Sequence, residues 1–117
     1  MSSDNRPAGK TTVSTDVLAT IARMAALSVP GVSGFAGGSG GVNRLFRRAA
    51  SDGIRVETDE NTVFVELHLI VKQDVNIREV SRNVQSQVTR AIQEMVGMDA
   101  GAVDIHIEDI DYEETEA

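Results

Sequence analysis

Residues 62–97 decide the fold: TVFVELHLIV (62–71), KQDV (72–75) and NIREVSRNVQSQVTRAIQEMVG (76–97). In the first segment Val63, Val65, Leu67, Leu69 and Val71 occupy every second position, which puts them on one face of an extended chain. Thr62–Val71 therefore reads as a strand with one core face. Its other face, Phe64, Glu66, His68, Ile70 and Lys72, is mixed. At residue 76 the period changes. Ile77, Val80, Val84, Val88, Ala91, Ile92 and Met95 recur at spacings of three and four, the mark of an amphipathic helix. Arg78, Arg82, Gln85, Gln87 and Arg90 lie off that stripe. Asn76 can cap the helix, with Glu79 three residues on as in a capping box, and Gly97 suits the position just past its end.

Downstream, Val103, Ile105 and Ile107 alternate with Asp104, His106 and Glu108, giving a last strand. Upstream, Ile54–Thr58 forms a hairpin with the central strand across Asp59-Glu60-Asn61. A first helix starts at Ser14, with Asp16 in its first turn and Val17, Leu18, Ile21, Ala22, Ala25 and Ser28 on one face. Val29-Pro30-Gly31 ends it, because proline disfavours helix in the residue before it. Val32–Ala36 reads as a short strand, and Thr11–Val13 as a further small one. The run Gly37–Gly41 is conformationally free. After it Val42, Leu45, Phe46 and Ala49 suggest a short helix that shows Arg44, Arg47 and Arg48 to solvent. Two helices and several strands, each with one apolar face, pack most economically as a two-layer α+β sandwich: two main helices on one face of a small mixed sheet. The expected organisation is a flexible tail at 1–9, a single α+β domain over 10–112 with a Gly/Arg-rich loop and short helix at 37–50, and an acidic tail at 113–117.

The chain has 117 residues, enough for one domain, and a formal net charge of −7. From Asp104 onward there are seven acids and no Lys or Arg, which leaves residues 1–103 formally neutral. An acidic balance argues against general binding to polyanions, and no DNA partner is expected. There is no Cys, so disulfides, thiolate nucleophiles and Cys-based zinc sites are excluded. The polar start MSSDNRPAGK carries no apolar signal segment, and no apolar run approaches the ~20 residues of a membrane span. A soluble, cytoplasmic protein is expected.

Several motifs fall short of a known chemistry. Gly9-Lys10-Thr11 resembles the end of a phosphate-binding loop, but the first glycine of that motif would fall on Asp4. The glycines between Gly31 and Gly41 follow a helix rather than a strand, unlike a dinucleotide loop. Gly31-Val32-Ser33-Gly34 has the spacing of an RNA-clamping loop, yet Pro30 and Val32 favour a turn and a strand. No serine sits on a strand-to-helix turn beside a base. His68 and His106 fall on the non-core faces of strands together with Glu66, Asp104 and Glu108, and would form a carboxylate–imidazole cluster if those strands paired. Exposed histidines on a sheet face need no such explanation, and no metal, cofactor or catalytic residue is assigned. Arg44, Arg47, Arg48 and Arg55 are the dense basic group and the candidate partner or anion site. Phe64, His68 and Ile70 are the candidate interface on the outer sheet face.

The order of these segments resembles a known family. Val13-Ser14-Thr15-Asp16-Val17-Leu18-Ala19-Thr20-Ile21-Ala22, Val29-Pro30-Gly31-Val32, the strand Val63–Val71, Ile77–Gln85 and the ending Val103–Ile110 are together similar to the alkaline shock protein / Gls-type general stress family. The match runs from about Lys10 to Tyr112. The resemblance implies a non-enzymatic, cytoplasmic envelope and general stress response protein that acts through protein–protein interaction. It further implies a small membrane-anchored partner holding the protein at the inner face of the membrane, and self-association into a homo-oligomer. The alternative expectation is an anion-binding module, for lipid headgroups or RNA, built on Arg44, Arg47 and Arg48. The Gly37–Gly41 run, the Arg-rich insertion and the acidic end depart from the family's pattern.

Overall fold

The computed structural model describes residue 9 and residues 11–37 and 53–112. The short helix expected after Gly41, with Arg44, Arg47 and Arg48, lies outside the described residues, as does the acidic tail.

Strand β3 (Thr62–Lys72) is the middle of the sheet. Its apolar face is buried without a break from Val63 to Val71, as its alternation demands. To describe its neighbours, the other elements are α1 (Thr15–Leu27), β1 (Val32–Phe35), β2 (Ile54–Asp59), α2 (Ile77–Ala91) and β4 (Asp99–Asp111). β2 forms the expected hairpin with β3, Asp59 opposite Thr62 and Ile54 opposite Leu67. The turn between them places Glu60 at φ 59°. β1 pairs antiparallel with the far end of β3, Phe35 opposite Leu69 and Val32 opposite Val71.

β1 and β2 meet at His68. The Ala36 N–H donates to the His68 carbonyl (2.9 Å), and the His68 N–H donates to the Gly53 carbonyl (2.9 Å). In a regular antiparallel rung a single residue supplies both groups. Here Ala36 supplies the donor and Gly53 the acceptor, so β1 and β2 are two halves of one strand. β1 ends and β2 begins at that one rung. Gly53 has φ 91°, and a Cβ there would stand 2.4 Å from the Ala36 carbonyl oxygen. Only glycine fits so close an approach.

β4 lies on the other edge of β3 and runs parallel to it. Parallel neighbours need a crossover, and α2 provides it. β4 is longer than its alternation suggests, because two register shifts interrupt the pattern, one between the Val63 and Val65 rungs and one between the Leu69 and Ile70 rungs. At the second shift Ile107 faces Leu69 and Asp109 faces Ile70, leaving Glu108 as an extra residue. Ile110 is thereby kept on the core side, where it is partly buried. A strict period of two would have turned it outward.

Both helices cover the same face of this mixed sheet, and the fold is the expected two-layer α+β sandwich. α2 is capped as its sequence indicates, with Asn76 Oδ1 accepting from the Glu79 N–H at 2.9 Å. Val80, Val84, Val88 and Ile92 are buried. The last turn, Ile92–Val96, is π-helical and is closed by a hydrogen bond from the Gly97 N–H to the Ile92 carbonyl at 3.1 Å. That wide turn shifts the phase of the apolar stripe. Val96 packs against the core, and Met95, expected on the stripe, points to solvent. In α1 the buried residues are Leu18, Ala22 and Ala26: Leu18 and Ala22 lie on the expected face, Ala26 is not part of it, and Val17, expected on it, is exposed. The small side chains at 22 and 26 let the helix axis approach the sheet, and this rotates Val17 outward. Thr11–Val13 forms no strand. Val13 instead packs at the margin of the core.

Candidate functional site

With both helices on one side, the other face of the sheet is not covered by any described element. Its central row is Phe64, Glu66, His68 and Ile70 on β3. Alternation along β3 brings these four to the outer side, and the parallel register with β4 sets their neighbours. Glu66 is opposite Asp104 and His68 opposite His106. The same five-residue pattern, apolar–acid–apolar–His–apolar, occurs in Val65–Leu69 and in Val103–Ile107, and the two copies lie side by side in register.

The result is a cluster on the outer face. The His68 and His106 rings stack with centroids 4.6 Å apart and planes 12° from parallel. Glu66 Oε2 lies 3.3 Å from His68 Nε2 and 3.2 Å from His106 Nε2. Glu108, the residue displaced by the second register shift, turns its Oε2 to within 2.7 Å of His68 Nδ1. Glu66, His68 and His106 each offer one ligand atom within 4.8 Å of the others. Beside the cluster, Ala36, Gly37, Gly53, His68 and Glu108 line a hollow of about 240 Å³ where β1 and β2 meet.

The sequence-predicted residues divide as follows. Arg55 stands on β2, and its Nη1 lies 3.7 Å from Glu66 Oε1, with 60% of the side chain exposed. A pair this exposed contributes at most about 1 kcal/mol. Arg44, Arg47 and Arg48 lie outside the described residues. Phe64 is on the outer face and 39% exposed. Its ring lies over Gly101 of β4, where a Cβ would stand 2.5 Å from Phe64 Cε1. Ile70 is half-buried. Near its rung, Ser33 Oγ donates to Asp111 Oδ2 at 2.6 Å and links β1 to β4 across β3. Among the described residues no buried side chain is polar or charged. On the helical side a separate apolar groove of about 370 Å³ runs between α1 and the end of α2, with Met24 and Met95 among its lining residues. No described helix is long and apolar enough to cross a membrane.

Comparison with known proteins gives the same result as the order of segments. The model of the alkaline shock protein 23 family, described as having a cell envelope-related function, matches residues 3–112. The chain belongs to that family. Two curated proteins of Bacillus subtilis (strain 168) are similar to this alkaline shock family member. The uncharacterized protein YloU is 26% identical over 106 residues, covering 87% of this chain and 88% of YloU. The uncharacterized protein YqhY is 24% identical over 107 residues, covering 90% of this chain and 79% of YqhY. No solved structure matches.

Proposed function

We propose that this alkaline shock family member serves its envelope-related function without catalysis, by docking on a protein partner through the outer face of its sheet. The observation that carries this reading is that face itself. One side of the sheet is sealed by α1 and α2, and the other presents Phe64, Ile70 and the His68–His106 pair with no described element over them. A half-exposed aromatic beside charged and imidazole side chains has the composition of an interface centre with a polar rim. The partner is a small membrane-anchored protein, and the chain sits at the inner face of the membrane through it. Self-association through the same face is the competing form of this reading. In the test, Phe64→Lys abolishes co-purification with the partner and moves the protein from the membrane fraction to the soluble fraction, while circular dichroism is unchanged. Unchanged partitioning of a folded Phe64→Lys variant refutes the docking face.

A second reading rests on the sequence between β1 and β2, which carries Arg44, Arg47 and Arg48. That stretch would bind the phosphate groups of anionic lipid headgroups. Vesicle flotation separates the two. Binding to pure anionic vesicles, lost when the three arginines are changed to alanine, favours direct anion contact. Membrane association that requires the partner favours docking.

A further inference from the structure

We propose that Glu66, His68 and His106 form a site for a divalent zinc-class cation on the outer face of the sheet, with Glu108 as its positioning residue. The inference does not depend on the docking reading. It begins with the protons of His68. Both ring nitrogens face a carboxylate oxygen, Nδ1 to Glu108 at 2.7 Å and Nε2 to Glu66 at 3.3 Å. A neutral imidazole has one N–H, so it can satisfy one of these contacts and not both. The Nδ1–Glu108 contact is the one with hydrogen-bond geometry, so it takes the proton and leaves Nε2 as the nitrogen that can ligate. His106 Nε2 converges on the same Glu66 oxygen at 3.2 Å.

Glu66, His68 and His106 each bring one ligand atom within 4.8 Å of the others, and a cation takes neutral imidazole nitrogens and a carboxylate as ligands. Ligands held at about 2.0–2.1 Å around a tetrahedral zinc lie about 3.3 Å from each other, close to both nitrogen–oxygen separations. The rings, stacked with planes 12° from parallel, turn on binding so that both in-plane lone pairs meet one ion. Two imidazoles and one carboxylate are a borderline donor set that suits zinc, cobalt or nickel rather than calcium or magnesium. Glu108 on the far nitrogen of a ligand histidine fixes the tautomer and orients the ring, the usual part of an outer carboxylate. The remaining charged neighbours are Arg55, which shares Glu66, and Asp104, which stands opposite it on β4. Three protein ligands on an exposed face leave a fourth position open to water or to a group from a partner.

The test is calorimetric titration of the full chain, without any affinity tag, with zinc chloride near neutral pH. Cobalt(II) absorption serves as a second readout of coordination. The expected result is one metal ion per chain and an intense cobalt spectrum of four-coordinate type. Both are lost in His68→Ala and in His106→Ala, with circular dichroism unchanged because the side chains are exposed or half-exposed. Glu108→Gln is expected to weaken binding about 10- to 100-fold. Acidification is expected to release the metal, since the ligand nitrogens must be unprotonated. Absence of saturable binding overturns the site. Stoichiometric binding that survives the double change His68→Ala with His106→Ala also overturns it, and puts the metal on other acidic residues of the chain.

Discussion

Gly53 shows how much one residue can decide. Its positive φ and its 2.4 Å approach to the Ala36 carbonyl mean that a methyl group has nowhere to go. Gly53→Ala is expected to lower stability by more than about 1 kcal/mol, read as a shifted midpoint in urea. Gly34, with nothing within 4 Å of a Cβ, is the control and should tolerate alanine far better. Neither role was legible in advance, because glycines 31 to 41 look alike in the sequence and Gly53 stands outside that run. The histidines divide in the same way. Their outward direction follows from alternation alone. Their contact follows from a parallel register between strands 38 residues apart, and the signal for it was the repeated pattern of Val65–Leu69 in Val103–Ile107. The outward side of Glu108 also follows from alternation, whereas its contact with His68 depends on a register shift set by the pairing with β3.

At the level of elements, legibility tracked the strength of the period. β3 and α2 were clear because their apolar residues follow one rhythm over many positions, and the cap at Asn76 could be located to the residue. Removing that cap is expected to matter. Asn76→Ala leaves the Glu79 N–H without its side-chain acceptor and should cost about 1 kcal/mol, measured by thermal or urea unfolding. α1 was harder to orient, since alanine is compatible with either side of a helix, and its true face depends on how closely it can approach the sheet. The π-helical turn at Ile92–Val96 and the two shifts in β4 break phase inside an element. They answer to the partner strand and the core, and local sequence does not encode them strongly. The split strand makes a sharper prediction. Joining Ala36 directly to Ile54 removes residues 37–53 and puts Ala36 alone opposite His68, with Phe35 still facing Leu69 and Ile54 still facing Leu67. The shortened chain should fold, with a circular dichroism spectrum like that of the parent and a cooperative unfolding transition. A chain that fails to fold would mean that residues 37–53 support the sheet.

Taken as a whole, the molecule has two unlike sides. The helical side encloses the core, and the sheet side displays charged and imidazole groups around Phe64. The formal charge of −7 hides a second division along the chain, between a neutral body and an acidic end. The fold was readable at this scale because a two-layer sandwich follows from counting apolar faces. The site was less so, since an outer surface assembled from β2, β3 and β4 exists only once the strand order is known.

The shared rung at His68 also bears on how such a protein changes over evolutionary time. Because departure and return occupy one position in the ladder, sequence can be added, shortened or exchanged there without altering any strand register. The sheet therefore evolves under the constraints of packing, while the sequence joining β1 to β2 is free to vary. Members of one family can in this way keep one scaffold and diverge in what they recognise.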